Sequence, residues 1–343
     1  MNRIWGLDVL RIISIAAVIM IHTTQYLIHI EVGTYDWMVL NFYDSLARWA
    51  VPVFVMISGV LFLNPAKPQP LKKLFCKNIP HIIAIILFWG LVYAALHHPP
   101  KTIDLPSLWE FFQVQILGYY HMWFLYMILG LYIVVPILRC ITASKQGTLY
   151  FLLLAGTLNC VIPYLPDWGP FTLMGAFAGK MEFNIPLGYS FYFVLGYWLY
   201  ANDITKKARI ALYSLGGLAT AATFALTTIL SLKTGSTDTS FYENFSPTVC
   251  LTSIALFLAF KHIDVTGRNE MSKKKAITAL SKSTLGVYMI HMIVLDGLSD
   301  MGLSCFSFNP ILAAPITAVA AIVASYAIAI LMTKIPVFNK HFV

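Results

Sequence analysis

Residues 4–30 read IWGLDVLRIISIAAVIMIHTTQYLIHI, and Asp8, Arg11, His22 and His29 are the only acidic, basic or imidazole side chains in the run. A helix this apolar on every face has no water-facing side. Its length exceeds the roughly 17–25 residues that cross the hydrocarbon of a bilayer. The run is also too long for the apolar core of a secretory signal, roughly 7–15 residues, and no small-residue cleavage site follows it. It reads as a transmembrane helix that stays in the chain.

Nine further runs have the same character, with approximate limits 41–63, 79–97, 121–139, 148–164, 184–200, 210–232, 246–261, 282–301 and 309–334. The fifth and sixth of the resulting ten lie near or below the lower limit for a span, and the first and last are long enough to tilt or project. Composition agrees: 59% of the 343 residues are hydrophobic and 11% are charged. An ordinary soluble domain carries about 25% charged residues, so this chain cannot clothe a water-facing surface of its size. The expected fold is an all-α, polytopic membrane bundle of about ten helices, forming one domain over residues 1–343. Segment 106–120 opens Ser107-Leu108-Trp109-Glu110, a capping-box pattern, and reads as an interfacial or re-entrant helix.

Charge placement fixes the expected orientation. With the N-terminus inside, 18 of the 23 Lys and Arg fall in inside segments. Only Lys101, Lys180 and Lys233 fall outside, and Arg11 and Arg48 lie within spans. Removing one span would swap the sides of every later loop and destroy the contrast. The positive-inside rule therefore predicts an even count with both termini in the cytoplasm. The net charge of +8 is a topology signal rather than a nucleic-acid footprint. The five cysteines are scattered without a C-x-x-C pair and read as apolar fillers, with no metal framework.

Polar side chains inside the bilayer need a reason, because a charge at its centre costs about 2.5–3.5 kcal/mol on insertion scales. Arg11 and His22 lie eleven residues apart in the first span. That is about three turns, which puts them on one face with a rise of about 16 Å between them. Asp8 stands three residues before Arg11, within pairing range. Arg48 sits in the outer half of the second span, His121 and Trp123 open the fourth at its outer end, and His291 lies mid-way along the ninth. Each also has a structural reading: Arg11 as partner to Asp8 or a carbonyl, Arg48 as a brace, His121 as an interfacial residue, His291 as an interhelical hydrogen bonder. Val51-Pro52-Val53-Phe54 followed by Ser58-Gly59 reads as a kinked, closely packed helix. Two functional classes stay open on the residues alone. A transporter or flippase would want acidic coupling groups near the midplane, and no Glu lies in any span. A membrane transferase would want histidine and cationic groups, which this chain has.

The motifs resemble the acyltransferase-3 family of membrane acyltransferases. Arg11 followed by ten residues and His22 is similar to its R-x10-H signature. Arg48 with Val51–Gly59, His121-Met122-Trp123-Phe124-Leu125, and Ser283 through Tyr288 to His291 resemble its later blocks, in the same order. Among members the likeness is to standalone O-acetyltransferases such as the one acting on enterobacterial common antigen.

The resemblance implies transfer of an acyl group, commonly acetyl from cytoplasmic acetyl-CoA, to a hydroxyl of a carbohydrate or envelope glycan, including lipid-linked ones. It places the protein in a bacterial inner membrane, among lipids, with acetyl-CoA as a cosubstrate and no permanently bound cofactor. It also implies that His22 is the catalytic histidine and Arg11 its paired arginine. Arg11, Lys72, Lys73 and Ser283 are the expected acyl-CoA contacts. Arg48, His121, Trp123, Tyr288 and His291 are candidates for oxyanion or acceptor contacts. His22 is suited to act as general base, and an acetyl-His intermediate is the alternative.

Overall fold

A computed structural model describes residues 5–65, 67–100, 102–165, 188–263, 270–336 and 338. The described residues are helical, and no strand occurs among them. In chain order the helices are α1 (Trp5–Thr24), α2 (Tyr35–Ala47), α3 (Ala50–Leu63), α4 (Leu71–His97), α5 (Leu105–Leu117), α6 (Trp123–Thr142), α7 (Lys145–Gly156), α8 (Gly188–Ala201), α9 (Lys206–Thr234), α10 (Pro247–His262), α11 (Glu270–Lys282), α12 (Thr284–Asp300) and α13 (Pro310–Thr333).

Eight described helical segments are long and apolar enough to cross a membrane, and α11 with α12 forms a ninth as a pair bent by 59°. The sixth expected span corresponds to α8; residues 184–187 of that expected span lie outside the described ones, as do most of the expected outer segment 164–183 and residues 264–269. The outer shell matches a lipid solvent. Ile133, Ile137, Leu153, Leu218, Ile229 and Val323 are exposed mid-helix, where water would penalise such a belt and lipid does not. The chain is a multi-pass, all-α membrane bundle.

Two expected details are corrected. The second span begins earlier than expected and is two helices, α2 and α3, parted at Arg48-Trp49. Pro52 has no N–H to give the Arg48 carbonyl four residues back, so the ladder fails there, and Val53 resumes it by donating to Trp49 at 3.2 Å. In α5 the cap is Asp104, not Ser107: the Asp104 carboxylate accepts from the Ser107 amide at 2.8 Å. An ionised carboxylate at the positive end of a helix is a stronger cap than a hydroxyl inside its first turn.

α1 is the axis of the bundle, packing against α2, α3, α10, α11, α12 and α13. α3 lies against α8 at backbone distance. A Cβ added to Gly59 would sit 1.8 Å from the Phe193 carbonyl oxygen, and one on Gly196 would sit 2.2 Å from that of Met56. Such contact between small residues is how helices associate without a hydrophobic drive between them. Successive spans run alternately, so the start of α1, the end of α3 and the starts of α4, α7, α9 and α12 share one end of the bundle. That end carries Lys72, Lys73, Arg139, Lys206 and Lys273–Lys275 and is called the basic end below.

Candidate active site

The site is built on α1, on the turn entering α6, and on α12. His22 lies two residues before the end of α1, where the chain tightens into a 3₁₀ turn, Gln25–His29. His121 lies in the 3₁₀ turn Tyr120–Met122. The left-handed Gly118, at φ 70°, ends α5 just before it and swings the chain back toward α1. His291 is buried mid-way along α12.

These three histidines, 99 and 170 residues apart along the chain, converge. Ring centroids are 5.1 Å apart for His22 and His291, 5.2 Å for His121 and His291, and 6.4 Å for His22 and His121. Tyr288 completes the group. Its hydroxyl donates to the His121 carbonyl, and its ring stands 5.5 Å from the His121 ring. From α4, the Tyr93 hydroxyl donates to the Met289 carbonyl at 2.6 Å and the ring lies edge-on to His121.

The imidazole nitrogens are partly satisfied. His291 Nδ1 lies 2.6 Å from the Tyr288 carbonyl oxygen, which can only accept. Nδ1 therefore carries the proton and Nε2 the lone pair. His291 Nε2 and both ring nitrogens of His121 are buried and have no hydrogen-bond partner among the described residues. Buried polar atoms left open in this way are costly and mark where a ligand or water binds.

Two spaces approach this cluster from opposite ends, one reaching Tyr288 and the other His22. From the basic end a cavity of about 400 Å³ rises between α1, α3, α6 and α12. Arg11, Ser281 and Lys282 line it, and it reaches up to Val18, Phe124 and Tyr288. From the opposite end a pocket of about 20 Å³ touches His22, Gln25, Asp296 and Thr317, which is room for about one water or hydroxyl group. Among the described residues no group of three or more His, Cys, Asp or Glu has the geometry to hold a metal ion.

The other expected contacts are distributed unevenly. Arg11 lines the cavity, and Asp8 accepts from the Ser281 hydroxyl at 2.7 Å. Ser283 lies at the α11–α12 bend with its hydroxyl donating to the Ala279 carbonyl at 3.1 Å, while its neighbours Lys282 and Thr284 face the cavity. Lys72 and Lys73 are exposed on the first turn of α4, outside the cavity wall. Arg48 is ion-paired with the buried Asp44 and lies 4.1 Å over the Tyr242 ring, within electrostatic reach of His22. Trp123 is exposed, 5.7 Å from the Tyr189 ring and away from the histidines. Gln25 and Tyr120, which border His22, did not stand out in the sequence because neither is charged. The spacing of Gln25 three residues after His22 was the available signal.

The fold and site together are those of a membrane-embedded bundle that holds a buried histidine cluster between two inward spaces. Comparison with protein families supplies the rest. The family model described as an acyltransferase domain, acyltransferase 3, matches residues 4–331, and the chain belongs to that family. The protein is a membrane acyltransferase. No curated protein and no solved structure matches the chain.

Proposed function

We propose that this acyltransferase moves an acetyl group from cytoplasmic acetyl-CoA to a hydroxyl of an extracytoplasmic carbohydrate, with His22 as general base. The protein would sit in a bacterial inner membrane with both termini inside, which makes the basic end the cytoplasmic one. The observation that carries the reading is a histidine cluster set between a cavity that reaches Tyr288 from one end and a pocket that reaches His22 from the other, with His291 Nε2 and both His121 ring nitrogens open among the described residues.

Acetyl-CoA enters the cavity past Arg11 and Lys282, its anionic nucleotide left among the basic loops. The rise from Arg11 to His22, about 16 Å, is comparable with an extended pantetheine arm. The acceptor hydroxyl arrives from the other end. His22 Nε2 takes the hydroxyl proton as the oxygen attacks the thioester carbon. The carbon–sulfur bond then breaks, and the departing CoA thiolate takes the proton back from His22. No free acetate is formed. His291, with its lone pair on Nε2, can accept from a neighbouring hydroxyl of the acceptor carbohydrate. His121 holds an N–H on one of its two open nitrogens and can donate to the tetrahedral oxyanion. Tyr288, its hydroxyl bonded to the His121 backbone, holds that turn in place. The histidines do their work in a water-poor site, where charge stabilisation is stronger.

The test is transfer of radiolabelled acetyl from acetyl-CoA to the carbohydrate fraction of inverted membrane vesicles. His22→Ala should lower it roughly 10²–10⁴-fold, the usual loss for a general base, with the protein still inserted. Near-normal labelling by that variant would remove the assignment.

A further inference from the structure

We propose that Gln25 is a positioning residue that sets the tautomer of His22. The inference rests on the reading of His22 as the base.

The geometry starts with the winding of α1. At Gln25 the chain passes from α to 3₁₀ winding, which brings side chains three residues apart toward eclipse. Gln25 therefore stands over His22. Its Oε1 lies 3.3 Å from His22 Nδ1 and accepts from the Tyr120 hydroxyl at 2.9 Å. A carboxamide oxygen has two lone pairs and cannot donate. Tyr120 O–H fills one of them and His22 Nδ1–H the other. The proton of the neutral ring is thereby held on Nδ1, and Nε2 is left bare. A base needs that arrangement, and it parallels the third group that orients the histidine in nucleophile–base–orienter sites.

The chemistry of the orienter matters as much as its position. A carboxylate at position 25 would stabilise the imidazolium and retain a proton on the ring, while an amide orients without adding charge. The charged and titratable groups facing His22 from the surrounding elements are His121 and Tyr120 from the turn before α6, His291 and Asp296 from α12, and Arg48 between α2 and α3. Gln25 is the uncharged member of this shell that touches Nδ1. Tyr120 ties it in turn to the His121 turn, so two of the three histidines are registered through one carboxamide.

The experiment uses full-length protein in inverted vesicles, with labelled acetyl-CoA and label counted in the carbohydrate fraction. Gln25→Ala should lower turnover roughly 10–100-fold, the worth of a hydrogen bond to a group that becomes charged. Its apparent KM for acetyl-CoA should stay within about twofold. Gln25→Glu keeps the shape and so guards against a folding defect. Its acidic limb in the pH–rate profile should move upward by at least about half a unit, with turnover recovering as pH rises. Tyr120→Phe should show a smaller loss in the same sense as Gln25→Ala. A Gln25→Glu profile that superimposes on the wild type would overturn the inference. If His22→Ala is dead while Gln25→Glu is unshifted, only the positioning role falls; an active His22→Ala removes the reading beneath it.

Discussion

Asp44 shows what a buried charge requires here. Its carboxylate is fully buried and is joined to Arg48, whose side chain is 24% exposed, in the first helical pair before the break at Trp49. Tyr242, on the far side of the guanidinium, donates to Asn41, which itself donates to Thr228 at 2.8 Å. Removing one partner of a buried pair costs about 3–5 kcal/mol, because the other charge is left uncompensated. The partial exposure of Arg48 puts Asp44→Ala at or below the lower end of that range. It should melt earlier in detergent than Asp44→Asn, which keeps a hydrogen-bonding oxygen. Arg11→Lys should raise the apparent KM for acetyl-CoA, because a point charge does not reproduce a planar fork; an unchanged value would make Arg11 structural. His22, Arg11, His121 and His291 were legible one by one, since each is expensive in lipid. Their convergence was not, because it depends on how α1, α6 and α12 pack. The Tyr242 contact with Arg48 was hidden for the same reason, and Gln25 because an amide is cheap enough to pass unnoticed.

Elements were read well where one local rule dominates and poorly where two compete. The apolar runs predicted the spans, because hydrocarbon accepts little else. The join between α2 and α3 fell where the Pro52 ring removes a donor, a signal read only as a kink. At α5 two acceptable caps stood three residues apart, and the carboxylate prevailed. Hydrogen bonds from Thr102 and the Ser107 amide hold the Asp104 carboxyl below its ordinary pKa of 3.8. A depressed pKa means that the cap contributes fully at neutral pH and is lost only as pH falls through the lowered value. Hydrogen exchange at neutral pH should therefore show the first turn of α5 fraying in Asp104→Ala and retained in Asp104→Asn. Packing between elements offers a sharper contrast. Gly59→Ala would press a Cβ into the backbone of α8 and should lower the melting temperature by several degrees or prevent assembly. Gly130→Ala has nothing within 4 Å of the added atom and should be neutral or slightly stabilising. Equal melting of the two would deny the close approach.

For the whole molecule the lysines give a prediction that does not depend on the chemistry. A periplasmic reporter fused after Lys233 should be active and one after Lys275 inactive; the reverse would invert the proposed orientation. Sidedness of the donor follows: inverted vesicles should use added acetyl-CoA, and sealed right-side-out vesicles should use it only when it is loaded inside. The 59° bend at Ser283 adds one more consequence. It turns α11 away from the line of α12, with Lys273 and Lys275 exposed and Lys274 lying 5.7 Å from the Trp5 ring. A polyanionic donor approaching this end meets those ammonium groups before it reaches Arg11. Surface fields of that kind reach about 10 Å at 0.1 M salt and about 3 Å at 1 M. Capture of acetyl-CoA should therefore weaken with ionic strength while turnover at saturation holds. Replacing Lys273, Lys274 and Lys275 by glutamine should flatten that dependence, and anionic lipid in the facing leaflet should compete with the donor for the same charges.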